Sequence, residues 1–321
     1  MDITTKIGCN NNCTYCPQDR LIAAYSKRSD IFQMSFDVFK TCINKIPKEE
    51  AISFSGFCEP WLNPDCTKMV KWAFDKGHRI YVSTSLVGMT IRDIELLETL
   101  NLYSLVVHLP SNDGSDKIKV DEKYSEVLYK IFTSPINNIV YHIRGIDTYP
   151  QIRSIVGDRM LVGANCNRAG NMKLKNAPRI NRKIGTIGCK CNLQSHVLLP
   201  NGDVVLCCMD IGLKHVIGNL LHQDYPSLYH SEEFIKVKRG QGDDSKDILC
   251  RYCEDAQNIN ICAKIFNPLN YYISNLWQHK WLNDIYNLKF IHKCVYYLKK
   301  VHNLQDLKQF INQIIIYFKR I

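Results

Sequence analysis

No stretch of this chain approaches the ~18 consecutive apolar residues that a membrane-spanning helix needs, although 45% of its 321 residues are hydrophobic. The opening residues Met1 to Lys6 are polar and lack the apolar core of an export signal. No recognised RNA-binding module occurs either. These absences argue against a membrane span and against secretion, and for a soluble cytoplasmic protein. In a reducing cytosol, fifteen cysteines point to metal ligation and not to disulfides. The apolar content suffices for one large domain with one or two small ones.

Acidic side chains are the scarcer sign, 31 against 41 basic ones, for a net charge of +10. The excess is uneven: residues 265–321 carry eight Lys/Arg and two Asp/Glu, a balance of +6, which leaves +4 for the rest. Leu276, Trp277, Leu282, Ile285, Leu288 and Ile291 recur at helical spacing there, as do Leu307, Phe310, Ile311, Ile314 and Phe318. A basic amphipathic helical tail over 264–321 is therefore expected, either packed on the main domain or docking a membrane or partner.

What the chain does have begins at Cys9. The run Cys9-Asn10-Asn11-Asn12-Cys13-Thr14-Tyr15-Cys16 places three thiolates on one short loop, enough for three corners of a cubane iron–sulfur cluster whose fourth iron stays open. Zinc sites usually show two C-x2-C halves or Cys/His pairs, and no such partner lies near Cys16.

Short apolar runs at 3–7, 51–55, 79–83, 104–109, 138–143 and 160–164 alternate with helical patterns. Ser35 is placed to cap a helix through Ile46, Pro64-Asp65 opens one ending at Gly77, and Thr90 with Asp93 forms a capping box for one reaching Leu100. Six strand–helix units imply a parallel sheet, and hence an open (β/α)6 barrel of TIM type within the α/β class. Such barrels put chemistry at the C-terminal strand ends. There lie the cysteine loop, Ser55-Gly56-Phe57-Cys58-Glu59-Pro60, Ser83-Thr84-Ser85, His108, Arg144, and Asn167-Arg168-Ala169-Gly170-Asn171.

A second cysteine group follows: Cys166, Cys189, Cys191, Cys207, Cys208, Cys250, Cys253 and Cys262. Residues 197–199 and 204–206 read as a hairpin about a two-residue Asn201-Gly202 turn. It brings Cys189 or Cys191 beside Cys207, and Cys250-x2-Cys253 completes a closed four-thiolate site. By spacing alone that site suits iron–sulfur or zinc.

These residues resemble the radical S-adenosylmethionine (SAM) enzymes over about residues 1–260. The resemblance implies a [4Fe-4S] cluster on Cys9, Cys13 and Cys16 that binds SAM, with Tyr15 beside its adenine. Glu59 matches the acid of the family's Gly-Gly-Glu segment that binds the SAM amino group, near Gly56, though Cys58 replaces a glycine. Thr84 and Ser85, with Ser83, take the place of a Thr-Asn-Gly segment near the ribose or carboxylate. His108 falls where a polar residue faces SAM or substrate, and Arg168 where members with a second cluster contact substrate or the SAM carboxylate.

The downstream pattern, with Gly202 between Cys189 and Cys207, resembles the SPASM auxiliary-cluster domain in its shortened twitch form. This implies one auxiliary [4Fe-4S] cluster on Cys189, Cys207, Cys250 and Cys253, with Cys191 and Cys208 as competing ligands. The division expected is 1–185 core barrel, 186–263 twitch domain and 264–321 tail.

Through the resemblance, an electron from a donor such as flavodoxin or ferredoxin cleaves SAM to a 5′-deoxyadenosyl radical, which abstracts hydrogen from a substrate C–H. The auxiliary cluster then accepts an electron as a carbinol becomes a ketone, and Asp210 is expected either between that cluster and the substrate or as a loop carboxylate. With no room for a leader-binding domain before Cys9, a sugar or aminocyclitol alcohol is favoured. The alternative is a ribosomal-peptide maturase performing epimerisation, cross-linking or oxidation. A carrier that uses the clusters for electron transfer without turnover is a third reading, disfavoured by the SAM-pocket residues.

Overall fold

The structure is a computed structural model and describes residues 1–163, 166–172, 181–189 and 195–259. Cys191, Cys262 and the expected helical tail lie outside the described residues. Met1–Ile259 forms one compact unit. Among the described residues, no helix is long and apolar enough to cross a membrane.

Six strands lie side by side in sequence order and pair in parallel: β1 (Asp2–Ile3), β2 (Ile52–Phe54), β3 (Ile80–Thr84), β4 (Ser104–Leu109), β5 (Ile139–Ile143) and β6 (Met160–Val162). Between them run α1 (Gln18–Tyr25), α2 (Phe36–Ile43), α3 (Cys66–Asp75), α4 (Ile91–Glu98), α5 (Glu122–Thr133) and α6 (Pro150–Val156). The expected half-barrel of six parallel strands is present; among the described residues the six helices fill its five connections, two of them in the first.

The helices start where local chemistry says they should. Ser35 Oγ accepts from Val38 N (3.2 Å) to open α2, and Thr90 and Asp93 close a reciprocal capping box on α4. On α5, Tyr124, Val127, Leu128 and Ile131 recur on one face and are buried. That stripe seals the helix to the sheet, and truncating the fully buried Leu128 to alanine costs ~2–5 kcal/mol.

Alternation along the strands sorts the two faces of the sheet. Leu105, Val107 and Leu109 of β4 are buried in the core, while Ser104, Val106 and His108 face the other way. His108 sits in register with His142 of β5, their rings edge to face at 5.3 Å.

Two expectations are corrected. The first strand was expected over 3–7 but ends at Ile3. Beyond it Thr5 O accepts from Met34 N and Ile7 N donates to Phe32 O, so the chain leaves the sheet to pair with 32–34 and carries the cysteine loop inward. The hairpin β8 (Val197–Leu198) and β9 (Asp203–Val205) is not closed by Asn201-Gly202 alone. Gly202 N donates to Leu199 O (3.0 Å), so Pro200-Asn201 are the central pair. Gly202 follows at φ +83, where an added Cβ would lie 2.7 Å from Leu221 Cγ.

The remaining elements are β7 (Ile187–Cys189), β10 (Val216–Asn219), α7 (Glu232–Gly240) and β11 (Ala256–Asn258). The hairpin is hydrogen-bonded edge to edge with the barrel: β8 pairs in parallel with β1, Asp2 opposite Val197 and Ile3 opposite Leu198, giving a nine-stranded sheet in the order β10-β9-β8-β1-β2-β3-β4-β5-β6. β7 and β11 form a separate antiparallel pair with Cys189 opposite Ala256.

Candidate active site and auxiliary cysteine site

A cavity of about 300 Å³ opens at the C-terminal ends of the barrel strands, and all six strand-end segments contribute to it. Cys9, Cys13 and Cys16 line it with Tyr15, Gly56, Glu59, Thr84, Ser85, His108, Arg144 and Arg168. Every residue expected to touch SAM or hold the first cluster therefore faces one space.

Burial pushes the Cys9 thiol up and the Cys13 thiol up to about 12, with neighbouring thiols and carboxyl groups adding to the effect. Among the described residues, no three His, Cys, Asp or Glu side chains are placed to hold a single metal ion. Sulfurs on one tetrahedral zinc would lie about 3.8 Å apart, whereas cubane corners are wider. The three thiols line one cavity, a donor set suited to three corners of a cluster.

Gln18, which the motif reading passed over, braces this loop. Its Nε2 donates to Phe57 O (2.6 Å) and to Cys16 Sγ (3.2 Å), while its Oε1 accepts from Cys9 N (3.2 Å). A polar side chain two residues after the last cysteine, at the start of a helix, was the available signal. Gly56 stands at φ +44, where a Cβ would lie 2.4 Å from Thr4 Oγ1 and 2.5 Å from Ile3 O. Only glycine fits this close approach of β2's end to β1.

Glu59 is 5% exposed, and its carboxylate accepts from Trp61 N (3.2 Å), Thr84 Oγ1 (2.7 Å), Ser85 N (2.6 Å) and Ser85 Oγ (2.7 Å). Burial raises its pKa and these bonds oppose the rise. Thr84 and Ser85 thus act first by aiming Glu59, and an ammonium would reach it by displacing the rotatable Ser85 hydroxyl. That hydroxyl also accepts from Asn11 Nδ2 (2.8 Å) in the cysteine loop.

Arg144 lies over the Tyr15 ring, 5.8 Å from its centroid. His108 Nε2 meets Ser83 Oγ at 2.8 Å. Burial and the nearby Arg144, His142 and Arg168 charges push His108 down to about 4, so it is a neutral imidazole at pH 7. Deeper in the barrel, Asp2 also lines the cavity, hydrogen-bonded with Ser53 and Ser55 and facing the charge of Arg168. Sequence reading missed Asp2, because only the fold shows which face of β1 it occupies.

Arg168 and Ala169 adopt left-handed backbone, φ +50 and +52. Arg168 Nη1 donates to Cys208 O (3.0 Å), and Asn171 Nδ2 donates to Met209 O (3.1 Å). The end of the barrel is thereby stitched to the loop after β9, and the strained turn is held by these bonds.

A second cavity, about 60 Å³ and almost wholly apolar, is lined by Cys189, Cys207, Cys250 and Cys253. Cys208 lines both cavities. Burial pushes Cys250 up to about 12 and Cys253 up to about 11, and Cys189 acts electrostatically on both. Five thiols surround this small apolar space, one more than the four that a closed cluster needs.

Of the two places expected for Asp210, the loop is the one observed. Asp210 is fully buried, lines neither cavity, and spends its carboxylate on Lys214 N (2.9 Å) and His215 N (2.6 Å). It holds the loop after Cys207 and does not reach the substrate space.

Residues 189–254 match the SPASM family model, described as an iron-sulfur cluster-binding domain. The S-adenosyl-L-methionine-dependent 2-deoxy-scyllo-inosamine dehydrogenase of Niallia circulans is 21% identical over 262 residues, 79% of this chain and 92% of that protein. The crystal structure of BtrN in complex with AdoMet and 2-DOIA aligns at TM-score 0.55 and 20% identity, covering 80% of this chain and 92% of that one. Streptococcus suis SuiB bound to the precursor peptide SuiA aligns at TM-score 0.54 and 12% identity, covering 78% and 68%.

The half-barrel, the three-cysteine loop at its mouth and the matched iron–sulfur domain are together similar to those of radical SAM enzymes of the SPASM type.

Proposed function

We propose that this enzyme oxidises a small polar molecule, a sugar or aminocyclitol alcohol, in the cytoplasm with a flavodoxin- or ferredoxin-like electron donor. When bound, the cluster on Cys9, Cys13 and Cys16 and its SAM supply a 5′-deoxyadenosyl radical, and the cluster on Cys189, Cys207, Cys250 and Cys253 supplies an electron acceptor. The chain's own residues bind, orient and enclose.

The observation that carries the reading is the polarity of the barrel interior. Below the SAM-facing rim the wall offers Asp2, Ser55, Ser83, His108 and Arg168 to one cavity. Desolvated donors and acceptors favour a ligand that pairs with them and reject one that leaves them bare. A polyhydroxylated ring meets that demand better than an apolar side chain. Neutral His108 is available to take a proton from a substrate hydroxyl, and Arg168 to hold the oxygen. Cys208, on the wall common to both cavities, marks the short route between substrate and acceptor.

One feature favours a peptide as the second reading. β6 is the last strand of its sheet, and its Leu161 and Val162 are 59% and 73% exposed. Among the described residues no further strand pairs with its outer edge, which could take an extended peptide by strand addition.

Anaerobically reconstituted protein, dithionite and SAM should yield 5′-deoxyadenosine, and 2-deoxy-scyllo-inosamine or a related polyol should yield a product two hydrogens lighter. Deoxyadenosine without a lighter product across a polyol and aminocyclitol panel would turn the assignment toward peptides.

A further inference from the structure

His215 is joined to both halves of the auxiliary cysteine site. Its backbone oxygen accepts from Leu206 N (2.9 Å), the residue before Cys207. Its backbone N–H donates to Asp210 Oδ2 (2.6 Å), three residues beyond that cysteine. Its ring Nε2 accepts from Leu249 N (3.2 Å), the residue before Cys250. Its ring Nδ1 lies 2.6 Å from Glu233 Oε1 on α7. The imidazole is 4% exposed.

The partners fix its tautomer. A backbone amide can only donate, so Nε2 carries no proton, and Nδ1 carries the proton and donates to Glu233. Lys236 Nζ, 3.0 Å from the same carboxylate oxygen, favours its charged form. The ring is therefore a rigid two-ended spacer between α7 and the turn that carries Cys250 and Cys253.

We propose that His215 is the positioning residue of the auxiliary site: its neutral imidazole and backbone together fix the spacing between the Cys207 loop and the Cys250 turn. The proposal rests on reading those cysteines as cluster ligands. Groups that orient a metal site's ligands govern its occupancy and electronic character even without touching the metal. The plain alternative is that His215 only fills space, and the two differ in what a leucine does there. Leucine restores volume and leaves the buried Leu249 N–H without an acceptor. Glutamine carries its amide about as far out as Nε2 and can accept from Leu249. Asparagine reaches only as far as Nδ1 and cannot.

The test uses the full chain with Cys9, Cys13 and Cys16 changed to alanine, so that only the auxiliary cluster contributes. This background should hold about four irons per chain after anaerobic reconstitution. His215→Leu and His215→Asn should lose at least half of that iron and broaden the EPR signal of the reduced cluster, while His215→Gln keeps both near the background. Four irons and an unchanged signal in His215→Leu would overturn the proposal. Should that variant not fold by circular dichroism, the Gln and Asn pair decides, and equal iron with equal line shape overturns it. Cys250→Ser in the same background separates the layers. If it keeps its iron and signal, the ligand reading fails and the proposal with it; if it loses them while His215→Leu does not, the positioning claim alone fails.

Discussion

The two cysteine-lined cavities differ in every property that matters for chemistry. The larger, about 300 Å³, is lined by the three loop thiols, by Cys58, Cys166 and Cys208, and by carboxylate, hydroxyl, imidazole and guanidinium groups. The smaller, about 60 Å³, is lined by five thiols, four of them the expected ligands on β7, the loop after β9 and one turn and the fifth Cys208, with mostly apolar walls. A cubane with three protein ligands leaves an iron for an outside molecule, and one with four does not. On the proposed reading, one sequence thus provides a reactive centre where polar groups can meet a substrate, and an electron store where little else fits.

The strongest way to break this comparison is to remove one set of thiols at a time. Alanine at Cys9, Cys13 and Cys16 should abolish 5′-deoxyadenosine formation and lower iron from about eight to about four per chain. Serine at Cys250 should do the reverse: SAM cleavage persists, and the oxidised product falls to background because its electron has no acceptor. Loss of SAM cleavage in both variants would mean that the cavities do not divide the labour.

A smaller effect is expected at Glu59. Its carboxylate receives four donors, so Glu59→Gln turns an NH2 group toward hydrogens at Thr84 or Ser85. One mismatched buried donor costs ~1–3 kcal/mol. SAM affinity, read by equilibrium dialysis on reconstituted protein, should weaken ~10–100-fold, while the iron content stays at the wild-type value.

The sequence made the larger cavity legible because its residues sit at strand ends a few positions apart. Strand order and the alternation of β3 to β5 follow from local pattern, and with them the convergence of the cysteine loop, Glu59, Thr84, His108 and Arg168. The pairing of β8 with β1 was not legible, since parallel pairing of segments nearly two hundred residues apart leaves no local trace. Sequence left Asp210 open between the substrate side and the loop for the same reason. A buried carboxylate goes where amides can satisfy it, and here those amides are Lys214 and His215. Asp2 and Gln18 went unnoticed because their partners, Ser53, Ser55 and Phe57, are distant in sequence.

The gentlest comparison uses one histidine from each region. His108 in the larger cavity and His196 beside the hairpin are both pushed down to about 4, chiefly by burial. Each is neutral when folded and takes up a proton near pH 6.5 when unfolded. The unfolded state therefore binds more protons as pH falls through 6.5, and folding stability drops until the pH reaches about 4. Between pH 7 and pH 5 each contributes ~2 kcal/mol to that loss. Urea midpoints at the two pH values should thus lie closer together in His108→Asn and in His196→Asn than in the parent. The two sites should then part when the three-cysteine cluster and SAM are bound. Charge and desolvation in the larger cavity change around His108 and leave His196 untouched, so only the His108 share of the pH dependence should move. An equal change at both would show that the two regions are electrostatically one site.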